Sequence, residues 1–191
     1  MMTIAIAGIV LGLAVPSFME FQRANAMTAA ANDLVTATLL ARSEALKRQV
    51  PVTLCTSPNP AAQPPACGPT TSGGFIVFVD HDADTRVDAG DPDDPENPGD
   101  DVLLRRPPPG GTLRMWSDSP HLTYARNGFP RNASGSASAT RFLLCDDRGN
   151  RPAAGGSAAR VIVIDPAGRG STRQDLDIVA RAADALGAEC E

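Results

Sequence analysis

The chain opens with an uncharged apolar run and then changes to a pattern with apolar residues on one side. The run extends from Ile4 to Val15 and is followed by Pro16, which removes a backbone donor and predicts a kink in a helix. Beyond it, apolar residues recur mostly at steps of three and four residues or their sums, the spacing of an amphipathic helix. These positions are Phe18, Phe21, Leu34, Val35, Leu39 and Leu46.

One long helix is therefore predicted up to about Arg48, because Pro51 prevents its continuation. Residues 1–16 form a half that is apolar all round, which suits a membrane or a filament core. Residues 17–48 form a half that packs one face on a folded domain. The apolar run is shorter than the roughly 20 residues of a membrane-spanning helix.

From Pro51 onward the pattern changes to short β-branched or apolar runs separated by Pro, Gly, Asn and Asp. We expect α+β architecture: the long N-terminal helix packed on a mostly antiparallel sheet in a head of residues 49–174. Residues 175–191 predict a short C-terminal helix and tail. The predicted strands are Val52–Cys55, Phe75–Asp80, Val102–Arg105, Thr112–Trp116, Leu122–Tyr124, Arg141–Cys145 and Val161–Ile164, with Phe75–Val79 as the central one.

Composition fits one domain of ordinary size with an appended element, since the chain has 191 residues. Aromatic residues make up only 4%, so the core must rely on Val, Leu, Ile and Ala. The net charge of −5 is uneven: residues 80–101 hold ten acidic residues and one arginine, and the remaining chain is basic.

Four cysteines behind an apolar N-terminus indicate disulfides formed in an oxidising compartment. Three pairings are open to them, and proximity favours Cys55 with Cys67, which leaves Cys145 with Cys190. None belongs to a CxxC pair, which argues against structural zinc. Free buried thiols in a cytosolic protein are the alternative.

The acidic segment suggests a calcium loop, because oxygen ligands at alternating positions suit Ca²⁺. Its carboxylates fall at positions 1, 3, 5, 9 and 12 of an EF-hand-like spacing: Asp80, Asp82, Asp84, Asp88 and Asp91. Position 6 is Thr85 instead of glycine and no flanking helix pair is expected, so a solvated acidic turn is the alternative. No other cofactor is predicted.

Enzyme motifs are missing from the sequence. It contains no GxSxG elbow and no HExxH motif, and its single lysine, Lys47, forms no P-loop. The chain is therefore not expected to be an enzyme, and no catalytic residue or small-molecule substrate is predicted.

A set of sequence blocks in a fixed order resembles the FimT/GspH family of minor type IV pilins and type II secretion pseudopilins. The opening MMTIAIAGIVLGLAVPSF is similar to the N-terminal helix of pilins, and the likeness continues to about Arg173. The later blocks are Ala31–Val35, Ala41–Ala45, Pro51–Cys55, Gly74–Asp80 and Val102–Arg105.

The family also has a basic leader and a Gly-Phe-Thr-Leu-Ile-Glu-like stretch that have no counterpart before this opening. The leader-peptidase site, the methylated first residue and the assembly glutamate are therefore expected upstream of the given start. Restoring about six residues would bring the apolar run to the spanning length of about 20.

The resemblance implies a single-pass inner-membrane subunit with a periplasmic pilin-like head, which joins other pilins and primes or caps a filament. In the filament, its first helix packs against neighbouring helices, aided by the small pair Gly8 and Gly12. A plain membrane anchor is the alternative role for this helix. The implied membrane and assembly residues are Ile4, Ile6, Gly8, Ile9, Val10, Gly12, Leu13 and Pro16.

Some FimT-like pilins bind DNA during natural transformation through C-terminal arginines, which makes double-stranded DNA a possible partner. The matching block is Gly168–Arg173, and the candidate residues are Arg160, Arg169 and Arg173. Arginine forms bidentate hydrogen bonds to phosphate. Solvated surface arginines are the alternative, because the spacing is looser than the family's and no aromatic cluster offers base stacking.

Overall fold

The computed structural model describes residues 2–69, 71, 74–90, 98–131 and 140–190, and it describes side chains from residue 18 onward. In chain order, its helices and strands are α1 (Met2–Arg48), β1 (Val52–Thr56), β2 (Phe75–Val79), β3 (Val102–Arg106), β4 (Arg114–Ser117), β5 (His121–Tyr124), β6 (Pro130–Arg131), β7 (Thr140–Cys145), β8 (Pro152–Ala153), β9 (Gly156–Ser157), β10 (Arg160–Ile164), β11 (Gly170–Arg173) and α2 (Leu176–Leu186).

The first helix, α1, is 47 residues long and continues through Pro16. At 1.5 Å per residue this is about 70 Å. The predicted end near Arg48 is confirmed: Gln49 adopts a left-handed φ of 59° before Pro51. Basic Lys47 and Arg48 occupy the last turn, where they complement the negative end of the helix dipole.

The head contains two main antiparallel sheets, where the sequence predicted one. The first sheet has the order β3-β2-β1-β5-β6, the second has the order β11-β10-β7-β4, and β8 and β9 form a separate hairpin. The strand β1 is the middle strand of the first sheet and pairs with both β2 and β5. Phe75–Val79 has a hydrogen-bonded neighbour on each side, β3 and β1, so its prediction as a central strand is confirmed.

All seven predicted strands are present, with ends that differ by up to two residues. The strands β6, β8 and β9 were not predicted, because they are only two residues long and contain Pro or Gly. The strand β11 was also missed, because Gly170–Arg173 has no apolar side chain and resembles a turn. It pairs with β10 along its whole length.

The core lies where α1 contacts both sheets, and small residues of the helix make this possible. The buried positions of α1 are spaced by three and four residues, apart from one adjacent pair, and each is at most 3% exposed. Most of them are alanine, which allows backbones to approach closely. They are Met27, Ala31, Leu34, Ala37, Thr38, Ala41 and Ala45. Against them pack Val52, Leu54, Phe75, Val77, Leu122 and Tyr124 of the first sheet and Met115, Phe142, Leu144, Ile162 and Ile164 of the second.

The approach of β11 shows how close this packing is. A Cβ added to Gly170 would lie 3.3 Å from the Thr38 Oγ1 atom. Thr38 is itself buried and donates its hydroxyl to the Val35 carbonyl at 2.7 Å. The seven buried positions of α1 are here called the buried stripe. Its polar member, Thr38, has a hydrogen-bond partner within its own helix, as a buried hydroxyl requires.

The predicted packing face of the helix is only partly right. Leu34 is buried and Val35 packs against the core, but the other large apolar residues of the pattern point to solvent. Two sheets that approach one helix need small side chains at the contact, so the alanines form the packing face. The exposed members of the predicted face are Phe18, Phe21, Leu39 and Leu46.

Each sheet also has a buried outer face, and each outer face has a cover held by one disulfide. On the first sheet, Cys55, Ile76 and Phe78 pack with Cys67 from the Pro-rich loop, and Cys55 is bonded to Cys67. On the second sheet, α2 covers its own cluster and Cys190 behind it is bonded to Cys145. These are the pairings that sequence proximity favoured.

The alanine stripe gives a first prediction. Replacing Ala41, which is completely buried, by Leu should lower the free energy of unfolding by about 1–3 kcal/mol, because the added atoms force the two sheets apart from the helix. Denaturant unfolding measures this. The same substitution at the exposed Ala29 should change stability by less than about 0.5 kcal/mol. Equal losses at both positions would contradict the packing described.

The two disulfides give a second prediction. They close loops with sequence separations of 12 and 45 residues. From the lower entropy of the cross-linked unfolded chain alone, Cys55–Cys67 should stabilise the fold by about 3 kcal/mol and Cys145–Cys190 by about 4 kcal/mol. The Cys145→Ala/Cys190→Ala variant should lose more stability than Cys55→Ala/Cys67→Ala, and limited proteolysis should first cut the released α2 segment. The reverse order of stabilities would rule out this account.

Candidate functional site

The most distinctive surface of the described chain is the set of large apolar side chains of α1 that the head leaves exposed, here called the outer face of α1. Its large apolar residues are between 44% and 62% exposed. Such a row on one helix is unusual for a surface in water and indicates an interaction site. The outer face comprises Phe18, Met19, Phe21, Leu39 and Leu46.

Near the C-terminal end of α1, a turn of the head lies beside the outer face of α1. Leu39, Leu40 and Leu46 line an open, mostly apolar groove together with Thr36 and Ser43. The turn between β5 and β6 reaches this region: a Cβ on Gly128 would lie 3.0 Å from the Leu46 Cγ atom. The next residue of that turn, Phe129, is 46% exposed.

Ion pairs fix the helix to the head just before the buried stripe begins. Arg148, only 6% exposed, contacts Asp146 at 2.6 Å and Glu20 of α1 at 3.5 Å. The hydrogen bonds that Arg148 donates to the Asp146 carboxylate raise the pKa of Arg148 further, so the guanidinium remains charged. Arg23 of α1 adds a contact of 3.3 Å to Asp147. The β7–β8 turn therefore sets the direction in which the earlier part of α1 leaves the head.

A second groove runs between α1 and the end of β3. It has a volume of about 360 Å³ and is lined by Ala26, Ala30, Phe75 and the three prolines that follow β3. At its rim, Arg106 Nη2 lies 3.5 Å from Asp33 Oδ1.

The predicted membrane and assembly residues all lie in the first part of α1. Ile4, Ile6, Gly8, Ile9, Val10, Gly12, Leu13 and Pro16 have helical backbone, and their side chains are outside the described set. Across the part of the chain that the structure describes, no helix has both the length and the apolar character needed to cross a bilayer.

The acidic segment follows β2 and brings together three of the five predicted calcium ligands. Asp80, Asp82 and Asp84 each offer a carboxylate oxygen, and these oxygens lie within 4.8 Å of one another. Asp88 is outside this group, and Asp91 lies outside the described residues. Asp100, from the returning arm of the segment just before β3, was not among the predicted ligands.

Asp100 connects the two arms of this segment. Its carboxylate accepts hydrogen bonds from the backbone N–H of His81 and of Asp88, both at 3.1 Å. Burial raises the pKa of Asp100, and the neighbouring Asp82 and Asp88 carboxylates also raise it. No local sequence signal connects Asp100 with Asp80, because the two are 20 positions apart in the chain and come near each other only in the folded structure.

Asp80 is the unusual member of the group. Its side chain is completely buried, and Oδ2 accepts a hydrogen bond of 2.6 Å from Thr53 of β1. Oδ1 has no hydrogen-bond partner among the described residues. Burial raises the pKa of Asp80 to about 6, against the opposing effect of the Thr53 hydroxyl.

The three predicted DNA-binding arginines lie at opposite ends of the β10–β11 hairpin. Arg160 and Arg173 lie at its open end, where Arg173 pairs with Val161. Arg169 lies in the turn that follows Ile164, on the order of 10 Å away. They do not form one cluster.

Two of these arginines also have partners within the head. The Arg160 guanidinium donates to the carbonyls of Ser157, Ala158 and Ala159, and burial lowers its pKa. Arg169 forms an ion pair of 3.0 Å with Asp165. The backbone N–H and guanidinium of Arg169 lower the pKa of that carboxyl. Arg173 is exposed at the sheet edge.

Comparison with known proteins gives a consistent family assignment. The sequence model of the family described as type II transport protein GspH matches residues 30–168. No match was found among curated proteins.

Two solved structures of the type IV minor pilin FimU from Pseudomonas aeruginosa PAO1 are similar to the chain. One has a TM-score of 0.53 at 19% identity and covers 80% of this chain and 92% of FimU. The other crystal form gives 0.49 at 20% identity and covers 76% and 91%. At this identity the first likeness establishes the fold, and it confirms the predicted pilin-like class: a long N-terminal helix packed on antiparallel sheets.

Proposed function

The chain belongs to the GspH family of type II transport proteins, and we propose that it is a minor pilin or pseudopilin. In this role it is a structural subunit that primes or caps a type IV pilus or a type II secretion pseudopilus. Its partners are other pilins or pseudopilins, and it carries out no catalysis.

The observation that carries this proposal is the outer face of α1. A monomer gains nothing from holding Phe18, Phe21 and Leu39 in water, while a subunit that packs its helix against other helices buries them. Burying one such side chain is worth about 1.5–3 kcal/mol. The head contacts the same helix mostly through small residues, so head packing and assembly use different residues.

The location follows from the same reasoning. Two disulfides support a head on the oxidising side of the membrane, in the periplasm. We assign the apolar run from Ile4 to Val15 to the inner membrane before assembly and to the filament core afterwards. Small residues such as Gly8 and Gly12 favour close helix contacts there.

The outer face gives a third prediction. Leu39→Asp should reduce incorporation of the subunit into the filament by about tenfold or more, because a charge at the helix contact loses its water without gaining a partner. The measurement is the amount of subunit in sheared filaments from cells that lack the native copy. Piliation and secretion of a type II substrate, both measured, show which machine the subunit serves.

A matched control is available on α2. Leu176 is 36% exposed there, and Leu176→Asp introduces the same charge away from the outer face. It should assemble like the unchanged protein. Both variants should keep their disulfides and circular dichroism spectrum. Normal assembly of Leu39→Asp, or an equal defect in Leu176→Asp, would refute the assembly face.

DNA binding for natural transformation is the alternative that the arginines suggest. With Arg160 bonded to backbone carbonyls and Arg169 paired with Asp165, Arg173 is the candidate most open to phosphate. The fourth prediction is that Arg173→Gln weakens a gel shift with double-stranded DNA more than Arg160→Gln does, and that added salt weakens all binding. Unchanged binding in Arg169→Gln and Arg173→Gln would dismiss this site.

A further inference from the structure

We propose that Asp80, Asp82 and Asp84 form a calcium site at the end of β2 that fastens the acidic segment to the first sheet. The proposal is independent of the assembly role and adds a ligand to it. It rests on the grouping of the three carboxylates and on the unpartnered buried oxygen of Asp80.

The backbone brings the three side chains to one place. Asp80 directly follows β2, and its N–H donates to the Pro51 carbonyl at 3.0 Å, which fixes it beside the start of β1. The next residues form two tight turns: the Asp84 N–H donates to Asp82 and the Arg86 N–H donates to Asp84. One oxygen from each carboxylate then lies within 4.8 Å of the others.

Asp80 differs from an ordinary surface carboxylate in its burial. One oxygen is held by Thr53, whose hydroxyl also lies 2.7 Å from that of Thr123 in β5. The other oxygen, Oδ1, is buried and makes no hydrogen bond of normal geometry among the described residues, although the Thr85 backbone N–H lies near this carboxylate. A buried polar atom without a partner lowers stability, and more so if it is charged. A bound cation would supply the missing partner.

The local charge also lacks compensation. Among the described residues, no Lys or Arg side chain forms an ion pair with the three carboxylates. The nearby carboxylate of Asp100 is occupied by two backbone N–H groups and adds further negative potential. Three converging carboxylates without a counter-charge attract a divalent cation.

The chemistry favours calcium over magnesium. Ca²⁺ accepts irregular sets of oxygen ligands and completes its shell with backbone carbonyls and water, while Mg²⁺ demands near-octahedral geometry. Two of the three carboxylates are exposed, so we expect an affinity like that of extracellular modules, with a Kd on the order of 0.1–1 mM. Binding would hold the acidic segment against β1 and β2.

The test is calorimetric titration of the full chain, purified in detergent, with calcium chloride, together with thermal unfolding in calcium or chelator. We expect saturable binding and a higher Tm in calcium. Asp82→Asn and Asp84→Asn should each weaken binding by about tenfold or more, because each removes a charged ligand. These residues are exposed, so the variants should fold even if Asp80→Asn does not.

The matched control is Asp88→Asn, which removes one charge from the same segment but lies outside the group. It should bind calcium within about threefold of the unchanged protein, and a loss equal to that of Asp82→Asn would show general attraction by the acidic segment and overturn the site. No heat up to about 10 mM calcium, unchanged binding in Asp82→Asn and Asp84→Asn, or an equal rise in Tm with magnesium chloride would also overturn it.

Discussion

The structure depends on the close contact between one helix and two sheets. The buried stripe of α1 carries alanine at four of its seven positions, and the sheets reach it from both sides. Side chains larger than these would separate helix from strands and open voids, which a densely packed core does not tolerate. With few aromatic residues, the head gains its core from this proximity and from the aliphatic strands that enclose the stripe.

This constraint explains why the residues of α1 that pack on the head are mostly small, although large apolar residues were expected there. Most of the contact with the head is made by small residues, and the large apolar residues Phe18, Phe21, Leu39 and Leu46 remain exposed. Periodicity in the sequence correctly predicted the helix and its end, but hydrophobicity alone selected a packing face that is only partly right. The spacing of Met27, Ala31, Leu34, Thr38, Ala41 and Ala45 carried the information. Small residues receive little weight on hydrophobicity scales, although they mark the places where backbones come closest.

The strands were easier to predict because each is a short apolar run between turn-forming residues. Their division into two sheets was not, since pairing depends on contacts distant in sequence, such as β1 with β5. On the face of each sheet that points away from α1, a disulfide holds a short covering segment in place. Cys67 and Cys190 hold their covers over Ile76 and Leu143, where a larger protein would use a further layer of packed side chains. The cysteine count suggested the two bonds, and the fold shows what each one holds in place.

The acidic segment shows how far local spacing can predict a site. The alternating spacing of the aspartates predicted that Asp80, Asp82 and Asp84 lie close together, and their carboxylates do so. Local turns are sufficient to determine their positions. Spacing could not include Asp100, whose contact with the segment requires the returning arm to close. It could not distinguish Asp80 from its neighbours either, because Asp80 is buried by the fold and its hydrogen-bond donor, Thr53, lies on an adjacent strand. The same sheet that places apolar side chains against α1 thus buries one carboxylate at its end, and that burial is the observation on which the proposed calcium site rests.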